Sequence, residues 1–464
     1  IMQRLFAIIT LTWKAAFRYR LFWVITSLLL AAVIFLPLLI KDDGTAAGFA
    51  QILLTYTLIA VTGLLGICTL WLSCGTLARD VEDCQIQMVA VKPIARWQIW
   101  LGKWLGIVLL NAALLAVAGA SIYCLLEFRA RKLPPTQLSK LQNEVLIARG
   151  SAREGNLNDV IEKETERRMK EQKDKGKLAD LDARTIQQQI TEGLKAELQV
   201  VPPGGARIWR IHLGKAAAEE LKDQPLFVRT KFVTGDPATT GNTFIGDWYA
   251  GVPQKTRVWH ELMPSLASDT FHEFRIDPNL YDENGDIVIA FRNVNDIALL
   301  FTFEDGMELL YREGGFGLNF IRGLAVILCW MALLAAIGLA TASFMSFPVA
   351  AFVSMALLAI TFSSGTLSTV VSDGTIMGWD SEKSAKGHSP LDNIAIPVFR
   401  VMLDTIQLVQ QFSPIDSLST GRSITWAELA KAVGQIVLLM GGVLGLIGIF
   451  IFNRRELATA QGNH

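Results

Sequence analysis

The apolar residues of this chain are gathered into long uncharged runs at its two ends, and most charged residues lie between them. A helix crossing ~30 Å of hydrocarbon needs about 20 apolar residues. Six windows meet that length: 21–40, 49–74, 105–127, 319–342, 347–366 and 431–452. The pattern predicts an α-helical polytopic membrane protein with about six transmembrane helices. The fifth window has the weakest end, because LSTVVSDGTIMGW follows it without a sharp charged stop. The first has no small-residue cleavage site and reads as a retained helix, not a signal peptide.

The middle of the chain follows other periods. Residues 128–202 are charged and helix-forming, in NEVLIARG, VIEKETERRMKEQKDKGK and DARTIQQQITEGLKAEL. Ile186, Ile190, Leu194 and Leu198 recur every four residues, which predicts a helical hairpin or stalk broken near Gly176. After Pro202-Pro203-Gly204-Gly205 the pattern changes to short aromatic and β-branched runs separated by turn signals. ARIWRIHL, LFVRTKFVT, TFIGDWYAG, FHEFRI, DIVIAFRNV and MELLYR are the strand candidates, and the 282–286 run (DENGD) reads as a hairpin turn. Together they predict a β-sandwich-like domain over 203–316. The expected organisation is therefore 1–127, 128–202, 203–316 and 317–464.

Charge placement gives an orientation. Arg4, Lys14, Arg18 and Arg20 precede the first window; Arg79, Lys92, Arg96 and Lys103 lie between the second and third; Arg454 and Arg455 follow the sixth. Six crossings put all three clusters on one side, the cytoplasm by the positive-inside rule. Both termini are then cytoplasmic, and the 41–48 loop, the long insert and the 367–430 stretch lie outside. The totals add less. With 51% hydrophobic residues and a mean hydropathy of +0.37, the chain is more apolar than an ordinary soluble protein. Its 43 Lys+Arg balance 43 Asp+Glu, so no net field points to nucleic acid. The five cysteines fall in or beside apolar segments, so the insert folds without a disulfide.

The most informative segment is 78–106, ARDVEDCQIQMVAVKPIARWQIWLGKWLG. Polar residues lead into Ile86, Met88, Val89 and Val91. Pro93 then ends the helix, since proline disfavours the helical conformation of its predecessor. Trp97, Trp100 and Trp104 suit a membrane interface. The residues alone describe a short amphipathic helix facing the cytoplasm and turning into a membrane helix.

This segment resembles the one joining the second and third membrane helices of ABC-2 type permeases, in particular the multicopper-enzyme-maturation-like subgroup. The family form is R-E-x-E-x-G-T-L-x-x-L-L-x-x-P-V-S-R-x-x-I-L-x-G-K. Arg79, Asp80, Glu82 and Asp83 match the acidic opening, Gln85 to Met88 the helix, Pro93 and Arg96 the turn, and Gly102-Lys103 the close. Cys84-Gln85-Ile86 departs from the usual Gly-Thr-Leu. The amphipathic start, with Trp13 and Phe17 on its apolar side, resembles the family's interfacial elbow helix. Phe452-Asn453-Arg454-Arg455-Glu456-Leu457 resembles its ending, and 412–429 its segment before the last helix. The resemblance covers about 1–130 and 317–464 and leaves the insert unexplained.

The resemblance implies a permease subunit in a bacterial cytoplasmic membrane, multi-pass, paired with a second copy or a close relative. Two copies of a separate ABC ATPase would dock on Arg79, Asp80, Glu82, Asp83, Gln85, Met88, Pro93, Arg96 and Lys103. ATP and Mg²⁺ would bind on that partner; this chain has no GxxxxGK[ST] and is expected to carry no cofactor. The output is either export of a substrate or motion passed to the external domain. A non-ABC anchor displaying the sandwich to a glycan or envelope protein is the alternative.

Other constellations are weaker. Gly441 and Gly445 have the small-xxx-small spacing of close helix packing. Asn111 is the notable polar residue inside the windows, and no ionisable group sits near a midplane, which disfavours an ion-coupled carrier. Trp248, Tyr249 and Trp259 read as core more than as a sugar platform. His260, His272, Glu261 and Glu273 lack the spacing of a metal site. There is no G-x-S-x-G, HExxH or other enzyme signature.

Overall fold

A computed structural model describes residues 2–18, 20–39, 45–83, 94–131, 133–141, 145–155, 157–174, 183–235, 241–303, 305–373, 375–376, 379–380, 385–386 and 391–455. The chain divides into two compact units, one helical (1–147 and 315–464) and one rich in β-structure (148–314).

The helical unit begins with α1 (Met2–Arg18) and α2 (Arg20–Leu39), followed by α3 (Ala46–Glu82), α4 (Arg96–Ala130) and the short α5 (Pro135–Lys140). Four helices are long and apolar enough to cross a membrane: Gly48–Glu82, Arg96–Ala130, Phe316–Ala342 and Trp426–Arg454. Two bent pairs raise the number to as many as six. Met2–Arg18 meets Phe22–Leu36 at 78°, and Phe347–Phe362 meets Ser364–Val371 at 66°. The helix of the fifth window is thus broken, its two parts meeting at Ser363 within the polar Ser363-Ser364-Gly365 stretch. The last span starts at Trp426, earlier than its apolar run, because Thr425 and Glu428 form a reciprocal capping box there.

The β-rich unit opens with β1 (Ile147–Ala152), then α6 (Asn158–Asp174) and α7 (Ala183–Gln199). These two helices pack together, with Leu194 and Ile161 buried and Thr165 beside Thr191. The rest is β2 (Val200–Val201), β3 (Ala206–His212), α8 (Lys215–Glu220), β4 (Leu226–Thr230), β5 (Val233–Thr234), β6 (Thr243–Ala250), β7 (Trp259–Ala267), β8 (His272–Ile276), β9 (Asp286–Asn293), β10 (Leu299–Leu300) and β11 (Met307–Gly315). The sheets run β1-β11-β4-β8, β3-β9-β6-β7 and β2-β10-β5. One core holds them, built on Trp209, Phe232, Trp248, Phe291 and Phe301. Three local expectations change. LIARGSA is a strand, not helix, because β1 pairs with β11 and Gly150 lets the Tyr311 ring lie against the backbone. The 259–267 run carries Pro264, which hid it as a strand; it is an edge strand, where a missing N–H is tolerated. DENGD is a turn but not a hairpin, since β8 pairs with β4 while β9 pairs with β3 and β6.

The helical unit continues with α9 (Phe316–Ala342), α10 (Phe347–Phe362), α11 (Ser364–Asp373), β12 (Trp379–Asp380), β13 (Ala385–Lys386), α12 (Asp392–Gln410), α13 (Pro414–Ser419) and α14 (Trp426–Ala432). A π-helical stretch, Val433–Gly441, leads into α15 (Gly442–Arg454). Two hydrophobic clusters stack along the bundle. One joins Leu29, Leu54, Leu58, Ile122 and Ile327; the other joins Ile8, Phe22, Leu77, Trp100, Leu339 and Phe452. Helices α3 and α9 run from the first cluster to the second, and α2 and α4 the other way. Helix α1, the end of α15 and both flanks of the 84–93 segment therefore meet at one end of the bundle.

Candidate functional site

That end of the bundle carries most of the singled-out charges. Arg79, Asp80, Glu82, Arg96 and Lys103 are each joined to another helix, Glu82 and Arg96 for a reason set by helix termini. The last four carbonyls and first four N–H groups of any helix have no partner inside it. Glu82, in the last turn of α3, accepts a hydrogen bond from the Phe347 N–H at 2.7 Å and so serves the open N-terminus of α10. Arg79, one turn earlier, lays its guanidinium over the Phe347 ring at 4.2 Å. Arg96, at the start of α4, donates to the carbonyls of Phe452, Asn453 and Arg455 at 3.1, 2.8 and 2.9 Å. Arg455 in turn donates to Ala342 and Ser343 at the end of α9, at 3.3 and 3.1 Å. Cations at carbonyl-rich ends also complement the helix dipole.

Lys103 is the buried member. Its ammonium lies 2.6 Å from Asp80 Oδ2 and 2.6 Å from the Thr76 carbonyl, joining α4 to α3. The Asp83 N–H donates to the Arg79 carbonyl at 2.8 Å and closes α3. Gln85, Met88 and Pro93 fall in 84–93 and lie outside the described residues. Gly102 and Gly106 form the seam on which α1 sits: a Cβ at either position would come within 3 Å of Ile8 or Thr12. Trp13 adds a hydrogen bond from its Nε1 to the Gly106 carbonyl, 2.9 Å. Sequence reasoning missed the partner of this knot on α10, Phe347. The Ser346-Phe347-Pro348 start, with proline in the first turn, is the signal that could have found it.

The glycines of the last span divide. Gly445 and Gly448 face the Trp100 ring, and a Cβ at Gly448 would also lie 3.1 Å from the Ala340 Cα. Gly441 meets only a carbonyl of its own helix, that of Ile436 at 3.3 Å. Gly441 is buried on the same face, four residues before Gly445, but the close approach to other helices among the described residues is made at 445 and 448. Deeper in the bundle, Thr69 Oγ1 lies 3.0 Å from Asn111 Oδ1, and Ser354 Oγ lies 3.0 Å from Thr341 and 3.4 Å from Cys74. These are buried polar links between helices.

The β-rich unit offers no converging site among its named candidates. Trp248 is fully buried, stacked on Trp209. His260 bonds Asp247 at 2.7 Å and stacks on Tyr249; His272 bonds the Ala267 carbonyl; Glu273 pairs with Arg149. Among the described residues no three His, Cys, Asp or Glu side chains are grouped to hold a metal. Asp282 accepts from the N–H groups of Asn284 and Asp286 and from Lys255 at 2.7 Å. The Lys255 ammonium and those N–H groups hold its carboxyl down at about 2. Arg207 and Glu154 are both shifted toward neutrality by burial.

These arrangements stand without a precedent to lean on: no family model matches the chain, and no curated protein and no solved structure does either.

Proposed function

We propose that the chain is the transmembrane subunit of an ABC-2 type transporter, driven by a separate ATPase that docks on 84–93 and its flanks. The observation that carries this reading is mechanical. The flanks of 84–93 are each fixed to other helix ends: Glu82 to α10, Arg96 to α15, Asp80 and Lys103 to one another, and Arg455 onward to α9. A push on 84–93 would therefore be delivered to five helices rather than absorbed by one loop. Such a knot is what a subunit without its own nucleotide site needs at its driven end. In this reading the knot faces the cytoplasm, the β-rich unit lies outside, and the chain works as a homodimer or heterodimer. The work is export of a substrate or motion of the β-rich unit.

The test uses the tagged chain purified from native membranes. A co-purifying P-loop ATPase in two copies is the expected result. Glu82→Gln keeps an oxygen for the Phe347 N–H and should leave ATPase stimulation intact, whereas Glu82→Lys with Asp83→Lys should abolish it while insertion persists. Normal stimulation in the double reversal would sink the docking assignment. A second reading, a membrane anchor displaying the β-rich unit, is favoured by that unit's own closed core. Absence of any ATPase from the purified material would select it.

A further inference from the structure

We propose that the outward face of the β3-β9-β6-β7 sheet docks an extended acidic peptide segment, with one carboxylate on Arg210, one on Arg292 and an apolar side chain between them. The proposal rests on the β-rich unit alone and stands apart from the ATPase reading. In a sheet with its core on one side, alternate residues turn away from that core and are expected to be polar. Trp209, Trp248, Ile289 and Phe291 fill the core side. Strand register fixes what lies on the other. Ile208, Ala290, Tyr249 and His260 form one row across the four strands, and Ala206, Arg292, Asp247 and Leu262 the next. On the far side of the first row, Arg210 stands opposite Val288 and then His212 opposite Asp286. The centre of the face is thus largely aliphatic where alternation calls for polar residues, and Ile208 and Leu262 are 56% and 54% exposed.

The acids of this face are taken and its arginines are not. Asp247 is buried, bonded to His260 at 2.7 Å and to the Tyr249 hydroxyl at 3.3 Å, and Asp286 is bonded to His212 at 2.7 Å. Arg292 is exposed and has neither an ion pair nor a side-chain hydrogen bond among the described residues. Arg210 is exposed too, and Glu154, whose charge reaches it, is already paired with Arg207 at 4.0 Å. A second copy docked face to face would set cations against cations, so the occupant carries the opposite sign. Val288 and Arg292 are four residues apart on β9, which separates the two arginine positions by about 14 Å. An extended peptide places side chains i and i+4 about 13 Å apart on one face, with i+2 between them. The order acid-x-apolar-x-acid therefore sets a carboxylate on each arginine and the apolar side chain over Ile208 and Ala290. The face measures about 14 by 20 Å, on the order of 300 Å², well under the ~800 Å² that each side of a stable folded complex buries. A short segment fits it. An anionic glycan would satisfy the arginines but brings no apolar group to the aliphatic row, and the Tyr249 ring is already stacked on His260, centroids 4.4 Å apart.

The probe is a fluorescein-labelled peptide, Glu-Thr-Leu-Thr-Glu, titrated against the full chain in phosphatidylcholine nanodiscs and read by anisotropy. Beside it runs Thr-Glu-Glu-Leu-Thr, which has the same composition in another order. The expected result is binding of the first about ten-fold tighter than of the second, which reaches one arginine at a time. Arg210→Gln and Arg292→Gln should each weaken the first peptide by a similar factor, and added salt should weaken it in the unaltered chain. Ile208→Thr should weaken it without changing that salt dependence. All three positions are exposed, and gel filtration with thermal unfolding shows that each variant is folded. Equal or absent binding of the two peptides overturns the site. Unchanged binding in folded Arg210→Gln and Arg292→Gln overturns the charge assignment. Displacement by polygalacturonate together with no response to Ile208→Thr overturns the peptide and gives the face to an anionic glycan.

Discussion

The two units solve the same problem, holding a chain in one shape, with opposite means. The β-rich unit collapses large aromatic side chains into one core, where Trp248, Phe232 and Phe291 are almost fully removed from solvent. The helical unit brings backbones together through small residues, Gly102, Gly106, Gly338 and Gly448, and spends its charges on helix ends. Water outside a sheet rewards buried apolar area. Lipid outside a helix is as apolar as the helix, so close packing and satisfied polar groups are what remain.

Substitutions can break or sharpen this contrast. The largest effect is expected from Trp248→Ala, which removes the centre of the aromatic core and should cost about 3–5 kcal/mol. It should make the β-rich unit sensitive to limited proteolysis while the spans stay protected. Protection of both would mean that the core is less essential than its burial implies. Lys103→Met leaves the Asp80 carboxylate without its ammonium. Since Asp80 is partly exposed, about 2–3 kcal/mol is expected, read as earlier thermal aggregation in detergent. The double variant Lys103→Met/Asp80→Leu should regain most of it; no recovery would show that Lys103 acts through packing alone.

Gly338→Ala tests close approach directly. Its Cβ would stand 1.8 Å from Ser73 Oγ, so about 1–3 kcal/mol of overpacking is expected, relieved by Ser73→Gly. If Ser73→Gly brings no relief, the α3–α9 contact is not set by that pair. The smallest effect concerns Asp282. Its carboxyl is held at about 2, below the ordinary value of 3.8, so its contribution is present above pH 4 and lost as the pH falls through 2. Acid unfolding of the β-rich unit should therefore begin at higher pH in Asp282→Asn, and an unchanged acid limb would contradict the assignment.

Much of this architecture was legible in the chain, and the failures have physical causes. Uncharged length found the four long apolar helices and the two bent pairs, because each needs only its own apolar residues. Six strand candidates appeared because alternation and turn residues are local. Ile147–Ala152 was not, since its partner β11 lies far along the chain, and Trp259–Ala267 was masked by Pro264. Within the candidate site, Arg79, Asp80, Glu82, Arg96 and Lys103 were singled out by motif. That Glu82 caps α10 and Arg96 grips the end of α15 depends on contacts more than 260 and 350 residues apart, respectively, along the chain.

The sequence by itself determined that several helices are long and apolar enough for a membrane, and that a polar β-forming segment interrupts them. Hydropathy and periodicity are properties of neighbouring residues, so no fold is needed to see them. Tertiary structure alone decided which helix ends meet and which glycines press on another helix. Those outcomes depend on angular register and on partners distant in the chain, which no run of neighbouring residues specifies.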